Sequence, residues 1–155
     1  MIVFPLSFVH LNNRFNLPVF DFGAGKTIGQ LLVLIGIVVL FDCFRLIKKI
    51  GGGTPVPFDP PKSLITKGLY QFSRNPMFLG TFFIVFGEFL YLGHLLLFFY
   101  FLLFVLSFHL YVVRKEEPEL RKRFGKEYEK YCEKTPRWLF KKSIPEIVRG
   151  IYPQK

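Results

Sequence analysis

Two groups of residues in this sequence have types and spacing that can do chemistry. The first is GLYQFSRNPMFLG, from Gly68 to Gly80. Pro76 suits the first turn of a helix, where its missing N–H costs nothing. The N–H groups of that turn can bind a carboxylate or a ribose oxygen. Arg74 beside them supplies a fixed fork of donors, and Tyr70 and Asn75 flank it. The second is EEPELRKRFGKEYEKY, from Glu116 to Tyr131, followed by Pro136-Arg137-Trp138. Paired acids at a membrane boundary can bind a ribose diol, an amine or a cation, and aromatic rings such as Tyr128 and Tyr131 can cover a purine or a sulfonium. The plainer reading of Glu116 and Glu117 is a favourable helix start. Asp42 either accepts a proton or marks a helix end with Arg45 as its one-turn partner.

Those residues must be positioned by apolar elements. The chain has 155 residues, 21 of them Phe, and 51% of it is hydrophobic. The apolar residues come in long blocks, which is the signature of membrane helices. Residues 1–11 are apolar, contain Pro5 and are too short to span. They also lack a basic n-region and a cleavage site, so no signal peptide is expected. Spans are expected over about residues 24–46, 75–92 and 94–113. The last two come from one block, residues 75–113, which as a single helix would measure about 58 Å, nearly twice the hydrocarbon core. It must fold back, and Leu92-Gly93-His94 is where it breaks. The N-terminal stretch leaves room for a fourth helix.

The net charge is +10. A nucleic-acid ligand is excluded, because the basic residues flank apolar spans and follow no nucleic-acid-binding pattern. They fit a rim facing anionic lipid. Only Arg14 and Lys26 precede the first clear span, and the other 19 of the 21 Lys and Arg lie in the loop 47–74, its flanks, or the tail 114–155. The positive-inside rule then puts loop and tail together on the cytoplasmic side. In the tail, Leu120, Phe124, Tyr128 and Tyr131 recur at helical spacing, which predicts an amphipathic helix stopped by Thr135-Pro136. Cys43 and Cys132 have no metal or redox spacing, and no metal site is expected. Glu88 is costly mid-span, which points to a functional or a helix-pairing role, with His109 on the facing arm as a candidate partner. His94 sits at the hairpin tip. The expected architecture is an all-α integral membrane protein. It has one domain over 1–155, three to four transmembrane helices with a helical hairpin, and a cytoplasmic amphipathic C-terminal helix.

These motifs carry a resemblance. The sequence resembles the isoprenylcysteine carboxyl methyltransferase and phospholipid methyltransferase superfamily of membrane enzymes. It is most similar to small members with the pattern GxGTPxPFxPPxxLxxxGxYxxxRNPMYxG, then EEPxLxxxFGxxYxxYxxxxPRW. The likeness runs from about Gly51 to Trp138, with spacing kept inside each block. Phe78 stands where the pattern has Tyr, and Thr135 where Val is common. Asn75 replaces the His of the isoprenylcysteine branch, whereas Asp42 in FDCFR resembles an acidic residue of that branch.

The resemblance implies S-adenosylmethionine as methyl donor and a lipophilic or lipidated acceptor that enters from the membrane lipid. By position it implies Tyr70, Arg74, Asn75, Pro76, Gly80, Glu116, Glu117, Tyr128 and Tyr131 as cofactor contacts, and His109 is a further candidate for that role. The implied mechanism is in-line displacement, in which the protein aligns the reactants and excludes water. Asp42 or Glu117 would take a proton from an amine or thiol acceptor. Arg45 or Arg114 would orient a carboxylate acceptor. Two other functions compete: an NADPH-dependent membrane lipid reductase, and a non-catalytic membrane adaptor. The GTPxPF and EEPxL blocks favour methyl transfer over the first, and only Phe78 hints at the second.

Overall fold

The structure is a computed structural model that describes residues 3–52 and 62–139, with side chains from residue 6 onward. The glycine- and proline-rich part of the central loop, 53–61, and the basic end, 140–155, lie outside the described residues. Among the described residues all regular structure is helical: α1 (Val3–Arg14), α2 (Gly25–Leu46), α3 (Pro76–Leu92), α4 (Leu95–Tyr111), α5 (Glu117–Phe124) and α6 (Lys126–Lys134), with three short turns of 3₁₀ or π type. The chain falls into two compact units. One comprises Met1–Phe41 and Met77–Glu116, the other Asp42–Pro76 and Glu117–Lys155.

The first unit holds most of the apolar residues. Helical runs Gly25–Gly51 and Leu95–Phe124, 27 and 30 residues long, are long and apolar enough to cross a membrane. Their most apolar stretches are only 17% and 11% buried. The core helix of a soluble protein is mostly covered, whereas these apolar faces are mostly open. Helix α3 is equally apolar but has 17 residues, about 25 Å at the standard rise.

Helices α2 and α3 meet through glycines. A Cβ on Gly36 would lie 2.5 Å from the Gly80 carbonyl oxygen, and one on Gly29 would lie 2.6 Å from that of Gly87. Without side chains at these four positions the two backbones come into direct contact, the usual solution where water cannot drive association. Helices α3 and α4 meet through rings: Phe78 on Phe108, Phe82 on Phe104, Phe86 on Phe101 and Phe89 on Phe98, with centroids 4.8 to 6.0 Å apart. Much of the phenylalanine content is thus spent on this antiparallel seam.

The hairpin breaks where the sequence predicts it. Helix α3 ends at Leu92, α4 begins at Leu95, and Gly93 between them has φ +72°. A Cβ on Gly93 would collide with the Phe20 carbonyl. That carbonyl belongs to a segment pinned across the turn, with Phe20 N–H donating to Gly93 O at 2.8 Å and Leu95 N–H to Pro18 O at 3.2 Å. The N-terminal stretch is helix α1, which packs on α4 through Phe8 and Tyr100, centroids 4.8 Å apart. Asn12, fully buried, accepts from Leu96 N–H and donates to Leu17 O. It satisfies one of the N–H groups orphaned at the start of α4.

The ring register corrects the expectation for Glu88. It stands at the level of Tyr100, whereas His109 lies two turns further along α4, beyond Phe108 and its partner Phe78. Glu88 is also one turn from the end of α3, not mid-span.

In the second unit the expected single C-terminal helix is two. Gly125, at φ +50°, separates α5 from α6, donates its N–H to Arg121 O to close the last turn of α5, and accepts Glu129 N–H at its carbonyl. Helix α6 buries Tyr128 and Tyr131, with the buried Thr135 following at its C-cap, and leaves Lys126, Glu127, Glu129, Lys130, Glu133 and Lys134 in water. It ends at Lys134, immediately before Thr135-Pro136, as expected.

Glu117 and Pro118 do not open a fresh helix. A π turn, Val112–Glu116, joins α4 to α5 without a break. Proline in a helix interior clashes with the carbonyl four residues back, and a widened turn relieves that clash.

Candidate functional site

The site is built around one buried carboxylate in the second unit. Glu117 is 6% exposed and accepts three bonds. Arg137 approaches side-on, with Nε 2.7 Å from Oε1 and Nη2 2.9 Å from Oε2. Arg74 Nη1 lies 2.9 Å from the same Oε1. That Nη1 also lies 2.9 Å from Cys132 Sγ and 3.4 Å from Tyr128 Oη. Two guanidiniums therefore face one carboxylate, and the group carries one positive charge more than negative.

The RNP turn is fastened to the PRW turn by main-chain carbonyls. Arg74 N–H donates to Pro136 O at 2.9 Å. The Arg137 carbonyl accepts from Ser73 Oγ at 3.1 Å and from Asn75 Nδ2 at 3.0 Å. Ser73 Oγ in turn accepts Asn75 N–H at 3.1 Å, a local turn that feeds the chain into the proline starting α3. Tyr131 Oη donates to Tyr70 O at 2.6 Å. The Tyr128 and Tyr131 rings lie 6.2 Å apart at 58°.

These contacts shift the titrating groups. Burial, then the neighbouring Cys132, pushes the Tyr128 hydroxyl up from 10.0 to about 12. Burial raises Tyr131 as well. The hydrogen bond to Glu117 holds Arg137 above its ordinary value. Both phenols are thus neutral at any physiological pH, Tyr128 accepting from Arg74 and Tyr131 donating to Tyr70.

Nine of the residues singled out from sequence fall in this unit, but not all in the cluster. Tyr70, Arg74, Asn75, Glu117, Tyr128 and Tyr131 are brought together there, and Pro76 begins α3 beside them. Asp42 and Arg45 instead form a loose pair one turn apart, 4.0 Å between charged atoms, with side chains 36% and 71% exposed. Gly80, His109, Arg114 and Glu116 belong to the other unit. There Gly80 is part of the α2–α3 contact, Arg114 is exposed, and Glu116 is half-buried. Phe78 packs on Phe108 and Tyr111, so it needs no hydroxyl there.

Arg137, Ser73 and Cys132 were not among the expected site residues. The signal for Arg137 was in the sequence: a buried acid in a basic segment requires a cation, and PRW follows at fixed spacing. Among the described residues no cluster of His, Cys, Asp and Glu could hold a metal ion.

The sequence matches the family model for phospholipid methyltransferase over residues 25–127. The chain belongs to the phospholipid methyltransferase family. The match covers α2 to the start of α6 and so takes in Arg74, Glu117 and the hairpin. No curated protein and no solved structure matches the chain. As a family member with two helices suited to crossing a bilayer, it is a membrane methyltransferase in general class.

Proposed function

We propose that the chain transfers a methyl group from S-adenosylmethionine to a lipophilic acceptor at the cytoplasmic membrane face, with Arg74 and its neighbours forming part of the donor site. The observation that carries this is the charge and donor balance around Glu117. Two guanidiniums share one carboxylate, and Arg74 Nε is buried with no acceptor among the described residues. A buried donor without a partner costs about 1–3 kcal/mol, so an anionic ligand group is the natural complement. The aromatic rings of Tyr128 and Tyr131 beside it suit a cationic or planar ligand.

When bound, S-adenosylmethionine supplies an electrophilic methyl on a sulfonium. The residues then divide their work. Arg74 holds the ligand's anionic end. Glu117 fixes Arg74 and, paired with two arginines, resists protonation, so it acts as a clamp rather than a base. The half-exposed Asp42 is the better placed of the two acids to accept a proton from an amine or thiol acceptor. Arg45 or Arg114, each exposed, orients a carboxylate acceptor. The apolar spans let such an acceptor arrive through the bilayer.

The test is calorimetric titration of the full chain in lipid nanodiscs with S-adenosylmethionine. Saturable binding that Arg74→Ala weakens by about tenfold or more is expected for loss of a charge-assisted bond. Membranes incubated with radiolabelled donor, then separated into lipid, protein and volatile fractions, identify the acceptor. No saturable binding in nanodiscs would overturn the reading.

A further inference from the structure

We propose that Arg137 is a positioning residue. It holds the Glu117 carboxylate in the one plane that sets the Arg74 guanidinium, and thereby sets the donor Arg74 presents to a ligand. The last clause rests on the proposed methyl-donor site; the positioning itself does not.

The geometry divides the two arginines clearly. Arg137 makes two bonds to Glu117, one to each oxygen, at 2.7 and 2.9 Å. A side-on fork of this kind fixes the plane of the carboxylate as well as its distance. Arg74 makes a single bond to that carboxylate, through Nη1. The same nitrogen is shared with Cys132 Sγ and Tyr128 Oη. Arg74 therefore takes its orientation from where Oε1 is held, and Arg137 is what holds Oε1. The main chain adds to this. Carbonyls of Pro136 and Arg137 accept from Arg74 N–H and from the side chains on either side of it, Ser73 and Asn75. The Pro136 carbonyl thus fixes the Arg74 backbone, the Arg137 carbonyl fixes its two neighbours, and the Arg137 side chain acts on Arg74 by way of Glu117.

Burial assigns the roles. The Arg74 side chain is 11% exposed and Arg137 34%. Arg137 is the outer jaw of the clamp, and Arg74 is the inner group with a donor to spare. Lysine cannot replace Arg137, because one ammonium is a point donor and leaves the carboxylate free to rotate.

Arg137→Lys in the full chain tests this, since it keeps the charge and the backbone carbonyl and removes the fork. The first readout is kinetic. KM for S-adenosylmethionine is expected to rise about tenfold while kcat changes little, as for lost binding of ground and transition states alike. The second needs no methyl donor: the maleimide alkylation rate of Cys132, followed by mass spectrometry of its peptide. Because Arg74 Nη1 touches Cys132 Sγ, the variant is expected to change that rate several-fold, and to change it no further when Arg74→Ala is already present. An unchanged rate, or an equal change with and without Arg74, overturns the proposal and assigns Arg137 a purely structural role. If the chain binds no S-adenosylmethionine, the alkylation result still decides the positioning. Should Arg137→Lys not accumulate, Arg137→Gln carries the same alkylation comparison.

Discussion

At the scale of single residues, the cost of burying charge decides what matters. Glu117 and Arg74 are nearly inaccessible, and each would be expensive without the other. Glu117→Gln leaves two guanidiniums facing a neutral amide, and we expect it to lower unfolding free energy by about 3–5 kcal/mol, the range for breaking a buried pair from one side. Thermal unfolding in detergent, followed by circular dichroism, measures it. The pair of Asp42 and Arg45 is the contrast: exposed and 4.0 Å apart, it contributes at most about 1 kcal/mol, and Arg45→Ala should leave the unfolding temperature almost unchanged. Tyr128 gives a pH dependence with a definite sign. Its hydroxyl is raised from 10.0 to about 12 in the folded chain, so folding favours the neutral phenol. Its contribution is full below pH 10.0 and is lost as pH rises through about 12. Unfolding temperature should therefore fall over that alkaline window, and fall less steeply in Tyr128→Phe.

At the scale of elements, the α2–α3 contact is the most sensitive joint. Its four glycines sit seven apart on each helix, 29 and 36 against 80 and 87, and carbonyls fill the space where side chains would be. Gly36→Val should separate the helices and cost at least about 1–3 kcal/mol, the usual penalty of overpacking. Loss of folded protein on heating in detergent reads this out. The elements show which features can be read from a sequence. The long apolar helices and the Gly93 break were legible, because an uncharged apolar block favours helix and a glycine beside a polar residue marks a turn. Pro76 at a helix start and Pro136 at a helix end were legible for the same stereochemical reasons. The glycine contact was not, because within an apolar run a glycine reads only as one more small residue until its partner is known. Neither were the two π turns, since a single widened turn leaves the periodicity on either side intact. The pairing of Glu88 with His109 failed because it needed the register of two helices, and ring packing sets that register. At the site, residue type and spacing singled out Arg74 and Glu117, which the structure pairs, whereas Arg137, although it stands in the PRW block, was not picked because it lies beyond the periodic helix and only the folded chain shows which acid it meets.

At the scale of the whole molecule, residues 42–76 and 117–155 belong to one compact unit, and both are rich in Lys and Arg. The positive-inside rule predicts that they face the same compartment. Lys62→Cys and Lys130→Cys, both at exposed positions, should react with an impermeant maleimide from one side of sealed vesicles; labelling from opposite sides would refute that topology. The family match ends at residue 127, yet the clamp on Glu117 closes only with Arg137 and the two carbonyls at 136 and 137. Synthesis runs from the N-terminus, so Arg74 is made 63 residues before the group that completes its surroundings (137 minus 74). A nascent chain can insert its apolar helices long before it can present a finished site. Competence arrives late, with the last hydrogen-bonded turn, and a protease that trims the chain behind Lys134 would leave an inserted protein without its catch.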